Sequence, residues 1–381
     1  MTDSNRTQRS TLVSGSLPTD LVPNNKVDYA VLVPTGHKTD DAQTPPVPLL
    51  MHLHGAGSSC QQLIEEHRAG VWDARFDSGM MTPMVIAMIS GVDGTYMDYY
   101  DGSQKWTSFL RDEFIPFCEQ KFICGGTQDR RLAMGVSMGG FGVLHLCFGD
   151  PDTWGAVAAC EPAIDSAFEA KNITMRSFRR ANENASYQNT LVDRHVGKFG
   201  PGTGLVAEWD AEFFRANNPV AMAADNGVAI RGSGLKICIE CGDQDNLMLH
   251  DAAELLHRVL WDQRIEHSYF LNHGADHVGT SMTWRIDQIC QWLGRTHHEL
   301  HLPEQERATR FDPPNDIERQ WIEFMTGQRK EPPSGSPPDF SGDRMIAVMR
   351  YGQDDAVLAN YGLQTDGPDE LEGFKWRSGG S

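Results

Sequence analysis

The chain has 381 residues, of which 40% are hydrophobic, enough to bury one large α/β core or two modest ones. Its formal net charge of −19 would repel phosphate backbones, and no cluster of Lys and Arg with interleaved aromatic residues reverses this locally. These properties predict a folded protein and exclude nucleic acid as a partner.

Residues 1–20 are polar and contain no apolar stretch long enough for a signal peptide. No later segment approaches the roughly 18 apolar residues that a membrane helix needs. We therefore expect a flexible N-terminus, no membrane association and a cytoplasmic location. The eight cysteines are spread through predicted core elements, which favours free thiols over a disulfide framework.

Short apolar runs alternate with stretches of helical period between residues 27 and 293. This pattern is typical of a mostly parallel sheet with helices on both faces, which is our predicted α/β fold class. Seven strands are predicted, at residues 27–34, 47–54, 84–90, 130–136, 154–160, 235–241 and 266–271. The clearest predicted helices cover residues 107–122, despite Pro116, and residues 251–263.

Two segments interrupt this alternation. Residues 165–230 are polar and rich in charged residues and Asn, and we expect an insertion over the strand ends, in the position of a lid. Residues 301–381 form a Pro-rich, acidic C-terminal extension that is expected to be partly extended or disordered. The main α/β domain would then span residues 21–300.

Cys238 and Cys241 form a C-x-x-C pair, which invites a zinc or redox interpretation. They lie in a predicted buried strand, where residues three apart point to opposite faces. Two ligands on opposite faces cannot share one metal ion, so a structural role is predicted.

A G-x-S-x-G pattern lies at residues 135–139, with Ser137 at its centre. An apolar strand precedes it and a helix-forming stretch follows it. In this context the glycines allow a sharp turn from strand to helix that exposes the serine hydroxyl. Ser137 is therefore predicted to be a nucleophile.

A serine nucleophile needs a histidine base and an acid that orients the base. Asp243 and Asp245 follow one predicted strand, and His273 and His277 follow the next. His277 is favoured over His273 because a base needs a loop long enough to reach Ser137. Asp245 is favoured over Asp243.

The oxyanion of an acyl-transfer intermediate needs N–H donors. The backbone N–H of Met138 is one candidate by its position after the nucleophile. The second is expected from the loop after an early strand, where Ala56 is favoured and Gly57 is the alternative.

The stretches HLHGAG, GVSMGGFG, CGDQD and GADH, in this order, resemble the esterase D and putative esterase group of the α/β hydrolases. That group includes S-formylglutathione hydrolases, tributyrin esterases and feruloyl esterases. The resemblance covers about residues 21–295 and implies an α/β-hydrolase fold with Ser137 as nucleophile, Asp245 as acid and His277 as base. The histidine loop reads GADHVG in place of the family's usual Gly-Gly-His followed by Trp. Residues 165–230 and the extension beyond residue 300 have no counterpart in the family pattern, so the family's substrates are not transferred.

The leading hypothesis is a serine esterase without a cofactor, which cleaves a small-molecule carboxylic ester or thioester through an acyl-serine intermediate. The alternatives are an acyltransferase with the same triad and a non-catalytic binding protein with this fold. A homo-oligomer is compatible with the sequence.

A metal-dependent hydrolase is a weaker hypothesis. His52 and His54 share one face of a strand, and Asp276 and His277 could add ligands. A His-Gly pair before an oxyanion turn is ordinary in the family that the chain resembles, so no metal site is predicted.

Overall fold

The computed structural model describes residues 9–41, 43–91, 96–99, 102–164, 211–301, 316–325 and 329–334. Within these ranges one sheet contains eight strands: β1 (Thr11–Pro18), β2 (Lys26–Val33), β3 (Leu49–Leu53), β4 (Val85–Ile89), β5 (Arg131–Val136), β6 (Ala156–Cys160), β7 (Lys236–Gly242) and β8 (His267–Asn272). Their order is β1-β2-β4-β3-β5-β6-β7-β8. Only β2 runs against its neighbours, so the carboxyl ends of β3 to β8 meet at one edge of the sheet.

The seven predicted strands are all present, each with its bounds within two residues of the prediction. The structure differs at the N-terminus, where Thr11–Pro18 is an edge strand paired with β2 along its whole length instead of a flexible segment. Its residues are exposed or half-buried, so its sequence carries few apolar residues, and the pairing comes from β2. Residues 1–8 lie outside the described residues.

The described helices are α1 (Gln61–Arg68), α2 (Val71–Asp77), α3 (Trp106–Ser108), α4 (Ile115–Phe122), α5 (Met138–Gly149), α6 (Ala211–Asn217), α7 (Pro219–Asp225), α8 (Gly227–Ser233), α9 (Leu249–Asp262), α10 (Met282–Glu299) and α11 (Asp316–Met325). A π-helical segment, Phe109–Phe114, joins α3 to α4. Pro116 lies in the first turn of α4, where its missing N–H costs no helical hydrogen bond. No described helix is both long and apolar enough to cross a membrane.

The sheet is buried on both faces. One face packs against α5 and α9, with Leu144 and Leu256 in that core, and the other packs against α1, α2 and α10. Successive strand residues alternate between the two cores, as Leu50 and Met51 do. Burial on both faces explains the near-continuous apolar strands that made the sheet predictable.

All eight cysteines are buried and free, so the prediction of free thiols is confirmed. Cys238 and Cys241 lie on β7 in the cores of opposite faces of the sheet. The C-x-x-C pair therefore cannot bind one metal ion, as predicted from the strand period.

The predicted insertion needs a different C-terminal boundary. Residues 165–210 lie outside the described residues, but residues 219–230 form α7 and the start of α8, with Val220, Ala223 and Ile230 in the core. Asn218 begins α7 by accepting a hydrogen bond from the Val220 N–H at 3.1 Å. This segment belongs to the main domain, because its polar residues are caps and surface positions around a buried apolar face. Of residues 302–381, the described parts are α11 and residues 329–334.

Candidate active site

Ser137 lies in the turn between β5 and α5, in a strained backbone conformation with φ 56° and ψ −114°. Two hydrogen bonds, to the last residue of β6 and to the chain that follows it, hold this conformation. The Ser137 N–H donates to the Cys160 carbonyl at 2.8 Å, and the Ser137 carbonyl accepts from the Ala163 N–H at 2.9 Å. The turn is therefore fixed by the neighbouring strand and not only by its own residues.

The glycines around Ser137 are required by close backbone contacts. A Cβ on Gly135 would overlap the Gly139 carbonyl, and a Cβ on Gly139 would overlap the Leu53 carbonyl at the end of β3. The G-x-S-x-G spacing thus lets the helix begin directly against two strands.

The three residues predicted as nucleophile, base and acid lie together. Ser137 Oγ is 3.1 Å from His277 Nε2, and His277 Nδ1 is 3.1 Å from Asp245 Oδ2. The other carboxylate oxygen of Asp245 accepts from the Leu247 N–H at 2.6 Å, which fixes its orientation. All three side chains are buried. This arrangement can move a proton from the serine hydroxyl to the imidazole.

The alternative candidates lie apart from Ser137 and contact each other. His273 is exposed, and its Nδ1 is 2.8 Å from Asp243 Oδ2. Asp243 also accepts from the Gly274 N–H at 2.7 Å. These contacts anchor the loop that carries His277, so Asp243 and His273 lie at its base.

The loop after β3 lies against Ser137. A Cβ on Gly55 would be 3.5 Å from Ser137 Cβ, and Ala56 and Gly57, the predicted oxyanion donors of this loop, follow directly. His54 supports the loop, because its Nδ1 is 2.8 Å from the Gly55 carbonyl and its Nε2 accepts from the Gly91 N–H. Met138, the other predicted donor, is the first residue of α5. Donation to an oxyanion stays a prediction for all of these N–H groups.

Sequence reasoning missed a second carboxylate at His277. Glu161 is the first residue after β6, is fully buried, and places Oε2 2.9 Å from His277 Nδ1. Its other oxygen contacts the guanidinium of Arg285, which is also fully buried. The available signal was its position, because a polar residue after a parallel strand lies at the same sheet edge as Ser137 and Asp245.

The proton affinity of His277 follows from this setting. Burial lowers its pKa, but hydrogen bonding and the negative charges of Asp245 and Glu161 outweigh burial and raise the pKa to about 9. Burial also raises the pKa of Glu161, against the opposing effects of His277 and Arg285. Because Glu161 faces a guanidinium on one side and Nδ1 on the other, we place the proton that they share on the imidazole.

His52 and His54, considered above as metal ligands, have other contacts in the structure. His52 packs against Trp72, with ring centroids 5.9 Å apart, and His54 supports the loop after β3. Among the described residues, potential ligand atoms of Glu161, Cys241 and Asp245 lie within 4.8 Å of one another. Both carboxylates face His277, and burial raises the pKa of the Cys241 thiol, which leaves it protonated and a poor ligand.

Three solved structures with the same architecture carry names that describe hydrolases. A ferulic acid esterase has a TM-score of 0.58 at 19% identity, covering 76% of this chain and 100% of that one. An S-formylglutathione hydrolase from Agrobacterium tumefaciens has a TM-score of 0.55 at 15% identity, covering 77% and 97%. The fluorophosphonate-binding serine hydrolase F of Staphylococcus aureus has a TM-score of 0.53 at 17% identity, covering 75% and 98%. A search of curated proteins finds no match.

These likenesses confirm the predicted α/β-hydrolase fold. The family model described as "Putative esterase" matches residues 22–286, and the chain belongs to that family. By class it is therefore a carboxylic ester hydrolase, in agreement with the resemblance seen in its motifs.

Proposed function

We propose that this esterase is a serine hydrolase, which cleaves a small-molecule carboxylic ester or thioester through an acyl intermediate on Ser137. The observation that carries the proposal is the buried chain of contacts from Ser137 Oγ to His277 Nε2, and from His277 Nδ1 to Asp245 Oδ2, each 3.1 Å long. A serine, an imidazole and a carboxylate in this geometry activate the hydroxyl as a nucleophile.

In the first half of the reaction, Ser137 Oγ attacks the substrate carbonyl carbon while its proton moves to His277 Nε2. The Asp245 carboxylate accepts the hydrogen bond from His277 Nδ1–H and stabilises the imidazolium. The N–H groups of Met138 and Ala56, with Gly57 as the alternative to Ala56, would stabilise the oxyanion. When the tetrahedral intermediate collapses, the alcohol or thiol leaves with the proton from Nε2.

In the second half, water replaces the leaving group. His277 Nε2 takes a proton from the water as it attacks the acyl carbonyl, and returns that proton to Ser137 Oγ when the carboxylic acid leaves. An acyltransferase would use the same steps with an acceptor alcohol in place of water. The cytoplasmic location and the homo-oligomer stay predictions.

The proposal is tested with p-nitrophenyl acetate and the Ser137→Ala variant. We expect kcat/KM to fall by about 10⁴-fold or more, because the nucleophile is lost. Ser78→Ala, at an exposed serine, is the matched control and should keep the wild-type rate. Circular dichroism would check that both variants are folded.

A fluorophosphonate probe gives a second readout. Its phosphonyl group should add to Ser137 Oγ and appear in the tryptic peptide that contains residue 137. A Ser137→Ala protein that is folded and still hydrolyses the ester at the wild-type rate would refute the proposal. Adding a primary alcohol to the assay and measuring the ester formed would separate acyl transfer from hydrolysis.

A further inference from the structure

A buried cluster of charged side chains lies behind His277, on the side away from Ser137. Asp245 and Glu161 approach His277 Nδ1 from the ends of β7 and β6, and Arg285 reaches the cluster from α10. Glu240, on β7 itself, completes it. A triad needs one carboxylate at this nitrogen, so the second carboxylate and its guanidinium require an explanation.

The two carboxylates contact Nδ1 in different ways. The distance and direction from Nδ1 satisfy a hydrogen bond to Asp245 Oδ2. Glu161 Oε2 is closer, at 2.9 Å, and places its negative charge against the same nitrogen. Nδ1 carries a single proton, so it cannot donate well to both oxygens. Glu161 therefore acts on the imidazole through its charge more than through a hydrogen bond.

Arg285 holds Glu161 in this position. Its guanidinium contacts Glu161 Oε1 and binds both oxygens of Glu240, with Nε–Oε1 2.6 Å and Nη2–Oε2 3.0 Å. Its third nitrogen, Nη1, donates at 2.5 Å to the carbonyl of Asp276, the residue before His277. The same guanidinium thus fixes the second carboxylate and the loop that carries the base.

The charges around His277 do not cancel. Three carboxylates, those of Asp245, Glu161 and Glu240, share this buried cluster with the single guanidinium of Arg285, which contacts Glu161 and Glu240. An imidazolium at position 277 reduces the remaining negative charge in a site where water does not screen it. The buried cluster therefore favours the protonated form of His277.

The other groups that pack against this cluster do not change its charge. They are the thiols of Cys160 and Cys241, which burial keeps protonated, and the amide of Asn272, which donates to Glu240. The carboxylate of Asp276 is exposed to solvent, outside the buried cluster, and accepts from Ser281 at 2.9 Å.

We propose that Glu161 is a positioning residue of the esterase reaction, which is held by Arg285 and stabilises the imidazolium of His277 by its negative charge, alongside Asp245. The proposal rests on the proposed function, in which His277 is the base.

Two effects on the reaction follow. Glu161 stabilises the imidazolium that forms when Ser137 loses its proton, which raises the rate where His277 starts neutral. Glu161 also keeps His277 protonated to higher pH in the resting enzyme. A protonated imidazole cannot accept the serine proton, so this effect lowers the rate at low pH. The acid limb of kcat/KM against pH should therefore lie well above the ordinary histidine pKa of about 6.5.

The test compares pH profiles of kcat/KM for the wild type, Glu161→Gln and Glu240→Gln, with p-nitrophenyl acetate in a pH-stat. For Glu161→Gln we expect the acid limb to move down by about one pH unit or more and the alkaline plateau to fall. One unit is tenfold in proton affinity, so the two profiles should cross, with the variant at least as fast as the wild type near pH 6. Glu240→Gln removes a carboxylate that contacts Arg285 and not His277, and leaves Glu161 charged, so its acid limb should move less than that of Glu161→Gln.

A merely structural role gives a different result. Loss of packing or of loop order would lower kcat/KM by the same factor at every pH, and an unmoved acid limb in a folded Glu161→Gln protein would overturn the proposal.

Nuclear magnetic resonance separates this proposal from the proposed function. The ring nitrogens of His277, assigned by their loss in His277→Gln, can be titrated in the wild type and in Ser137→Ala without any turnover. A His277 pKa well above 6.5 that falls in Glu161→Gln supports the proposal, and a wild-type value at or below 6.5 overturns it even when Glu161→Gln does not fold. A fully active Ser137→Ala would refute the proposed function and leave this titration interpretable.

Discussion

His277 and His273 lie four residues apart in one loop, but their surroundings differ. His277 is buried between Ser137 and two carboxylates, whereas 95% of the His273 side chain is exposed beside Asp243. Only the imidazole that contacts Ser137 can take its proton, and an exposed side-chain contact contributes little to stability. The two residues form a matched pair for testing the base.

We predict that His277→Gln lowers kcat/KM about as far as Ser137→Ala, and that His273→Gln stays within about twofold of the wild type. The measurement is ester hydrolysis at the pH of maximal activity, with folding checked by circular dichroism. The assignment of the base would be wrong if His273→Gln lost activity and a folded His277→Gln kept it.

At the level of residues, the sequence predicts what depends on strand ends and chain order. The proximity of Ser137, Asp245 and His277 could be predicted because each follows a recognisable strand and the order matches one known arrangement. That of Glu161 could not, because its role depends on the packing of Arg285, which lies 124 residues away in the chain. Contacts between side chains so far apart leave no periodic pattern in a single sequence.

At the level of elements, the turn between β5 and α5 shows how tightly the site is built. Its two glycines stand where any Cβ would meet backbone atoms, which cannot move as a flexible side chain can. Gly232 in α8 offers the opposite case, because nothing lies within 4 Å of a Cβ placed there.

We predict that Gly139→Ala destabilises the protein by roughly 1–3 kcal/mol, through overlap with the Leu53 carbonyl, and lowers activity by displacing Ser137. Gly232→Ala should instead stabilise the protein by about 0.5–1 kcal/mol, since Ala restricts the unfolded chain and favours the helix. Urea denaturation of both variants measures the two effects. Equal stability of the two variants would show that the turn tolerates a methyl group.

The elements that prediction missed share a physical cause. The seven predicted strands are buried on both faces, whereas β1 lies at the edge of the sheet and its side chains are exposed or half-buried. Residues 219–230 contain an apolar face that was obscured by the polar segment before it. Edge strands and short helices are stabilised largely by contacts with neighbouring elements, so the apolar pattern in their own sequences is weaker.

At the level of the whole molecule, two buried histidines shape the dependence of stability on pH in opposite directions. The His277 pKa is raised to about 9, so its stabilising contribution is complete below pH 6.5 and is lost as pH rises towards 9. Burial, then the charge of Arg75 and that of His54, lower the pKa of His52 to about 3. Between pH 6.5 and 3 the unfolded chain therefore binds a proton at His52 that the folded protein does not, and stability falls as pH decreases.

His52 is the sharper test of this linkage, because it is 1% exposed, both its ring nitrogens lack hydrogen-bond partners, and no proposed catalytic step involves it. We predict that the free energy of unfolding falls less steeply with decreasing pH in His52→Leu than in the wild type. Between pH 6 and 4 the difference in slope should be about 1.4 kcal/mol for each pH unit, the value for one proton. Urea denaturation at several pH values gives the slope, and His298→Gln, at an exposed histidine, should leave it unchanged. If His52→Leu and the wild type lose stability in parallel over this range, His52 binds its proton in the folded protein as readily as in the unfolded chain, and the acid sensitivity comes from other groups.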